Sequence, residues 1–225
     1  MGLQWAWYGS DLGGTRPCAS TYELYKTAIP EIPAAKCANL AFLPDAPPRT
    51  DPSDDAGSLR THELLTRLET THELSGAFKR FMAARELQAL VPSCTSSYFY
   101  LGEPVYVPTL QFTVLLFYRD QQDCVLWYLV LDGAHAGCIL SAPLLLLAPG
   151  SIADDNGVDD ENDVFRAIHD EAVLCAASFD EFIYRIWIEN HIWFQQNGLR
   201  DCVDTTASIQ AECDWYLEAT QSLSE

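Results

Sequence analysis

The sequence predicts an α+β fold, a central largely antiparallel sheet packed by helices. Three observations predict it. Four short runs between Ser97 and Ser141 are rich in β-branched, aromatic and Leu residues, with turn residues between them. Helical periodicity lies on both sides of that block, over 59–71 and 74–90 before it and from Ser178 onward after it. With 225 residues, 48% hydrophobic and 12% aromatic, the chain has enough apolar mass for one sizeable core.

Residues 1–58 are punctured by Pro17, Pro30, Pro33, Pro44, Pro47, Pro48 and Pro52. They read as an irregular N-terminal extension, helical only over Ser20–Ala28, within a single domain whose core is 59–225. Trp5, Trp7 and Tyr8 are too apolar to dangle, so this end is expected to dock on the core. Pro44–Ser58 reads as an exposed loop. In the helix over 74–90, Leu74, Phe78, Phe81, Met82, Leu87 and Leu90 recur at helical spacing, and Pro92 stops it.

The strands are expected over Ser97–Leu101, Phe112–Tyr118, Cys124–Leu131 and Cys138–Ser141, with 119–123 and 132–137 as hairpin connections. Val125, Trp127 and Leu129 alternate with Leu126, Tyr128 and Val130, so both faces of that strand are apolar and both must be covered. Residues 149–163 read as a long loop carrying Asp154, Asp155, Asp159, Asp160, Glu161 and Asp163, with a short helix or strand over Val164–Ala176 after it.

The clearest helix begins at Ser178. Ser178-Phe179-Asp180-Glu181 has the capping-box form, a hydroxyl at the N-cap and a carboxylate three residues on. Gly198 is the natural stop. Phe182, Ile186 and Trp193 share one edge of an apolar stripe and Ile183, Trp187 and Phe194 the other, with Asn190 between them. A buried Asn amide must be satisfied, and a hydrogen bond to sheet backbone is expected. Trp127, Trp187 and Trp193 are expected to be buried. A final helix from Thr206 to Ser222 turns Ile209, Cys213, Tyr216 and Leu217 inward.

Charge narrows the function classes. The formal net charge is -19. Residues 1–112 carry 9 basic and 12 acidic side chains, and residues 113–225 carry 4 and 20. Such a chain lacks the basic footprint that nucleic-acid backbones or anionic membranes demand. It suits a basic protein partner, with the acidic 149–163 loop as the docking candidate. The first nine residues lack a basic stretch followed by an apolar run, and the longest strongly apolar runs are far short of a bilayer, so a soluble, cytoplasmic protein is expected.

The eight cysteines show no CxxC spacing and read as free, mostly buried thiols, Cys124, Cys138 and Cys175 among them. No phosphate-binding loop, nucleophile elbow, HExxH or EF-hand spacing is present. Cys124 and His135 could pair as thiol and imidazole but nothing orients them, and His169 and His191 read as packing or surface residues. Neither a cofactor nor a resident metal is expected.

Two stretches resemble the SUKH superfamily (Smi/Knr-like proteins). One is Asp123-Cys-Val-Leu-Trp127-Tyr128-Leu-Val-Leu-Asp132-Gly133. The other is Ser178-Phe-Asp-Glu-Phe182-Ile-Tyr184-Arg185-Ile-Trp187-Ile-Glu189-Asn190-His-Ile-Trp193-Phe194. Leu87–Thr95 and the segment Val173–Ala176 are compatible, so the resemblance spans about residues 75–220. It implies an α+β fold without enzymatic activity, and an immunity protein that neutralises a toxin, often a nuclease. An acidic protein can occupy a nuclease's basic cleft as a phosphate-backbone mimic. The other reading is a regulatory scaffold of the same fold with several weaker partners, with Pro44–Pro52 as a recognition segment. An enzyme with a site assembled from scattered residues is the third.

Overall fold

The computed structural model describes residues 3–18, 22–27, 29–44, 56–142, 171–199 and 203–223. The expected loop with Asp154, Asp155, Asp159, Asp160, Glu161 and Asp163 lies outside them, as do Val164–Asp170. In chain order the elements are β1 (Gln4–Trp5), β2 (Trp7–Ser10), β3 (Tyr22–Tyr25), α1 (Ala34–Cys37), α2 (Ala56–Leu68), α3 (Gly76–Ala83) and α4 (Arg85–Gln88). There follow β4 (Tyr98–Phe99), β5 (Pro104–Val107), β6 (Phe112–Arg119), β7 (Leu126–Val130), β8 (Ile139–Ala142), β9 (Val173–Ala176), α5 (Phe179–Gln196) and α6 (Ala207–Gln221).

The fold is α+β. Seven strands form one mixed, mostly antiparallel sheet in the order β1-β9-β8-β7-β6-β4, with β5 also on β6. The meander β6–β7–β8 is antiparallel throughout, and both hairpin connections fall where the turn residues predict. The exception is β1, which pairs parallel with β9 (Gln4 opposite Val173) and extends the ladder through the Ala6 N–H to the Leu174 carbonyl at 3.0 Å.

Period-2 alternation sorts the sheet into two apolar faces. Leu115, Phe117, Trp127, Leu129 and Ile139 belong to the larger core. Val114, Leu116, Leu126, Tyr128, Val130 and Leu140 belong to the smaller one. Every buried apolar helical side chain described lies in the larger core, so the helices cover one face. A register shift between Leu116 and Tyr118 turns Tyr118 onto the helical face as well, where its ring meets Trp127 at 5.0 Å.

The N-terminal third departs from the sequence reading. Tyr22–Tyr25 is a strand rather than part of a helix over Ser20–Ala28, and pairs antiparallel with β2. Alternating Trp7-Tyr8-Gly9-Ser10 and Tyr22-Glu23-Leu24-Tyr25 suit a two-stranded ribbon, and tertiary pairing overrides the weak local helix signal. Trp7 is buried and Tyr8 half-buried, as expected of a docked end, but Trp5 is 52% exposed. β5 had no counterpart in the sequence reading. Helix α2 starts at Ala56, inside the stretch expected to be loop. The helix expected over 74–90 breaks at Ala84, which is extended at φ −120°, ψ 98°.

Helix α5 has the cap its sequence predicts. The Ser178 hydroxyl accepts from the Glu181 N–H at 3.2 Å, and Glu181 reaches back to the Ala177 N–H at 3.0 Å. At the other end Gly198 takes φ 72° and the Leu199 N–H bonds the Phe194 carbonyl, the wrapped ending that glycine permits. The helix is not a surface helix with one apolar stripe, however. Every residue from Phe182 to Ile192 is buried, so it runs through the larger core with packing all round. Trp187 is buried but Trp193 only half-buried, because the last turns emerge from the core. Asn190 is satisfied, though not by the sheet: its Oδ1 accepts from the Cys94 N–H at 2.6 Å and its Nδ2 donates to the Ile186 carbonyl at 2.7 Å. Cys124 is exposed rather than buried, and stands with His135 at opposite ends of β7, so the two form no pair.

Phe182 lies where helix, sheet and N-terminal ribbon meet. Its ring contacts Phe117 at 5.3 Å, Trp7 at 5.8 Å, Tyr118 at 5.9 Å and Trp127 at 6.0 Å. Phe182→Ala is expected to cost about 3–5 kcal/mol, read as a lower urea midpoint at unchanged slope.

Candidate functional site

Four acidic and basic groups are drawn into the larger core by α5. Glu181, Arg185 and Glu189 recur every four residues and so share one side of the helix, and Arg16 joins them from the N-terminal arm. Arg16, Arg185 and Glu189 are each at most 3% exposed, so each charge must be met inside the protein. The Glu189 carboxylate meets four groups. Its Oε2 accepts from Arg16 at 2.6 Å, the Trp7 indole at 3.0 Å and the Ser10 N–H at 3.2 Å, and its Oε1 accepts from the Tyr216 hydroxyl at 2.6 Å. Arg185 donates to Glu181 at 2.8 Å and to the Pro30 carbonyl at 3.0 Å. Burial disfavours the Arg16 charge, but Glu189, Tyr216 and Tyr25 together hold its pKa above the ordinary arginine value.

This knot fastens the N-terminal arm to α5 and α6. The space is tight: a Cβ at Gly9 would stand 2.3 Å from the Arg16 guanidinium, which the Glu189 pair holds in place. A second polar cluster fastens β3. The Tyr22 hydroxyl meets Thr95 Oγ1 at 2.6 Å, Ser97 Oγ at 2.8 Å and Asp120 Oδ1 at 3.3 Å. Burial pushes the Tyr22 pKa well up, so this phenol stays protonated. Both clusters act as clamps.

An open site lies on the far side of α5. A cavity of about 250 Å³ is walled by Leu90, Pro92, Trp187 and Ile209, with His191 and Asp204 as its polar groups. His191 is 3% exposed and its ring packs edge-on to Trp187 at 4.9 Å. Its Nδ1 is buried without a hydrogen-bond partner. Burial lowers its pKa to about 4, against a smaller raising effect of Asp204, so the ring is neutral at pH 7. Asp204 is exposed, and the N-cap Thr206, whose hydroxyl accepts from the Ile209 N–H at 3.3 Å, fixes the start of α6 beside it.

The core residues read from the sequence are gathered around α5, except Tyr128, which faces the smaller core. The Arg16–Glu189–Arg185 knot was not foreseen. The four-residue spacing of Glu181, Arg185 and Glu189 in an otherwise apolar helix was the signal. The sequence places His191 as a packing or surface residue and it does pack, but its unmet nitrogen has no signature in sequence. Among the described residues no three His, Cys, Asp or Glu side chains converge as metal ligands, and no helix is long and apolar enough to cross a membrane. The seven described cysteines are free thiols. Comparison of the chain with models of known protein families, with curated proteins and with solved structures finds no match.

Glu189→Gln is expected to destabilise the fold by about 3–5 kcal/mol, because it leaves Arg16 buried without its counter-charge. The double variant Arg16→Met/Glu189→Leu is expected to cost less than Glu189→Gln alone in the same urea titration. His191 binds a proton below about pH 6.5 when unfolded, but only near pH 4 when folded. Stability is therefore expected to fall by up to about 3 kcal/mol as pH drops through that window. His191→Phe should remove that part of the pH dependence, read from urea midpoints at pH 7 and pH 4.5.

Proposed function

We propose that this chain is a non-catalytic protein-binding module of SUKH type, an immunity protein that neutralises a basic toxin, a nuclease by expectation, by covering its cationic surface. The observation that carries the reading is the charge distribution: 20 acidic against 4 basic side chains over residues 113–225. Among the described residues this excess faces outward on α6, which contains no Lys or Arg. Asp214 and Glu218 on this helix, and Asp204 just before it, are exposed and form no salt bridge. The two described basic side chains of this half are already engaged: Arg119 by Asp123, and Arg185 with Glu181 inside the core. Exposed carboxylates without a counter-charge give an electrostatic field that speeds the approach of a basic partner. The SUKH-like residues support the reading from another side. Asp123–Gly133 spans β7, and Ser178–Phe194 spans the capped part of α5.

Such a complex is expected to weaken steeply with salt. With the tagged chain immobilised and eluted in a salt gradient, the reading expects one basic protein, stoichiometric, held to high salt, whose nuclease activity this chain suppresses. Many partners released at low salt would replace it with the regulatory scaffold. Replacing Asp159, Asp160, Glu161 and Asp163 by their amides is expected to slow association. Unchanged association would remove that segment from the interface.

A further inference from the structure

We propose that the cavity between α5, α6 and the turn after α4 is an anchor site for an arginine side chain of the basic partner. This rests on the reading of the chain as a docking module for a basic protein. The walls and the polar groups are arranged for an amphipathic cation. Leu90, Pro92 and Ile209 offer apolar surface to a methylene stem, and Asp204 stands exposed as the carboxylate for the cationic head.

His191 is the second, independent observation. Its ring lines the cavity as a neutral group, with almost all of the side chain buried. The ring has no carboxylate or other acceptor bonded to it, and Trp187 packs against it. A neutral imidazole presents one acceptor and one donor nitrogen, and the acceptor lone pair suits an N–H of a guanidinium without charge repulsion. An anionic ligand is disfavoured by Asp204 and by the protein's net charge of -19. The volume of about 250 Å³ admits one long side chain rather than a helix or strand. A single side chain entering a largely apolar pocket with a charged rim is how a few residues come to dominate an interface.

The test needs no knowledge of the partner. The intact chain is titrated with N-acetyl-arginine amide, and the His191 ring and Trp187 indole signals are followed by NMR. The neutral citrulline analogue and N-acetyl-lysine amide are run alongside. The proposal expects saturable shifts at both rings with the arginine compound. Binding of the citrulline and lysine analogues is expected to be weaker. Asp204→Asn should weaken arginine binding about fivefold, whereas Glu63→Gln on α2, the same charge change elsewhere, should leave it unaltered. Asp204 is exposed, so its substitution leaves the core intact. Absence of shifts at His191, or equal binding of the three compounds, overturns the arginine site. The salt-dependent capture of a basic protein would still stand, because it needs only the acidic surface. Conversely, arginine binding with no basic partner captured would sink the immunity reading and leave the site.

Discussion

Glu189 carries a carboxylate through the middle of the larger core, and much of the chain is arranged around that charge. A buried carboxylate is tolerated only when its oxygens are met and its charge is balanced. Here one oxygen takes Arg16, Trp7 and the Ser10 amide, and the other takes Tyr216. These partners come from the first sixteen residues and from α6 near the chain's end. The sequence-distant N-terminal arm and C-terminal helix are held to α5 through one side chain. Hydrophobic contact alone would let the arm slide; four directional bonds to one carboxylate fix its position.

The same geometry explains why α5 can be buried on every side. A helix in such a place is usually apolar all round. This one carries Glu181, Arg185, Glu189, Asn190 and His191, and four of the five hydrogen-bond to specific partners. Arg185 also lies 5.2 Å from the Trp7 ring, so the arm covers the helix with aromatic surface as well as with hydrogen bonds. His191 is the exception. It faces the side where α6 and the turn after α4 stand apart, and a cavity remains there.

Interior and surface divide the charge between them. Inside, Arg16 and Arg185 face Glu189 and Glu181 and the sum is neutral. Outside, among the described residues of the second half, Asp204, Asp214 and Glu218 stand exposed without a salt bridge. That surface, with an open cavity beside it, is the ground for reading the chain as a docking module.

The α+β class, the antiparallel meander with its two turns, and the capped helix from Ser178 to its glycine stop were all legible in the sequence. Each depends on neighbours within a few residues: alternation along one strand, a hydroxyl three residues before an amide, a glycine that accepts positive φ. The N-terminal strands were not legible, because β1 exists only by pairing with β9, some 170 residues away, and β2 only by pairing with β3. Local propensity there was weak and the prolines pointed to loop. Asn190 was correctly read as buried and bonded, but its partner, a loop amide at Cys94, is set by how α5 lies across the chain. Sequence by itself determined the kinds of element, their order and the sign of the surface. Only the tertiary structure decided which charges meet, which helix is enclosed and which histidine is left without a partner, because those depend on distances between residues that the chain's local chemistry does not link.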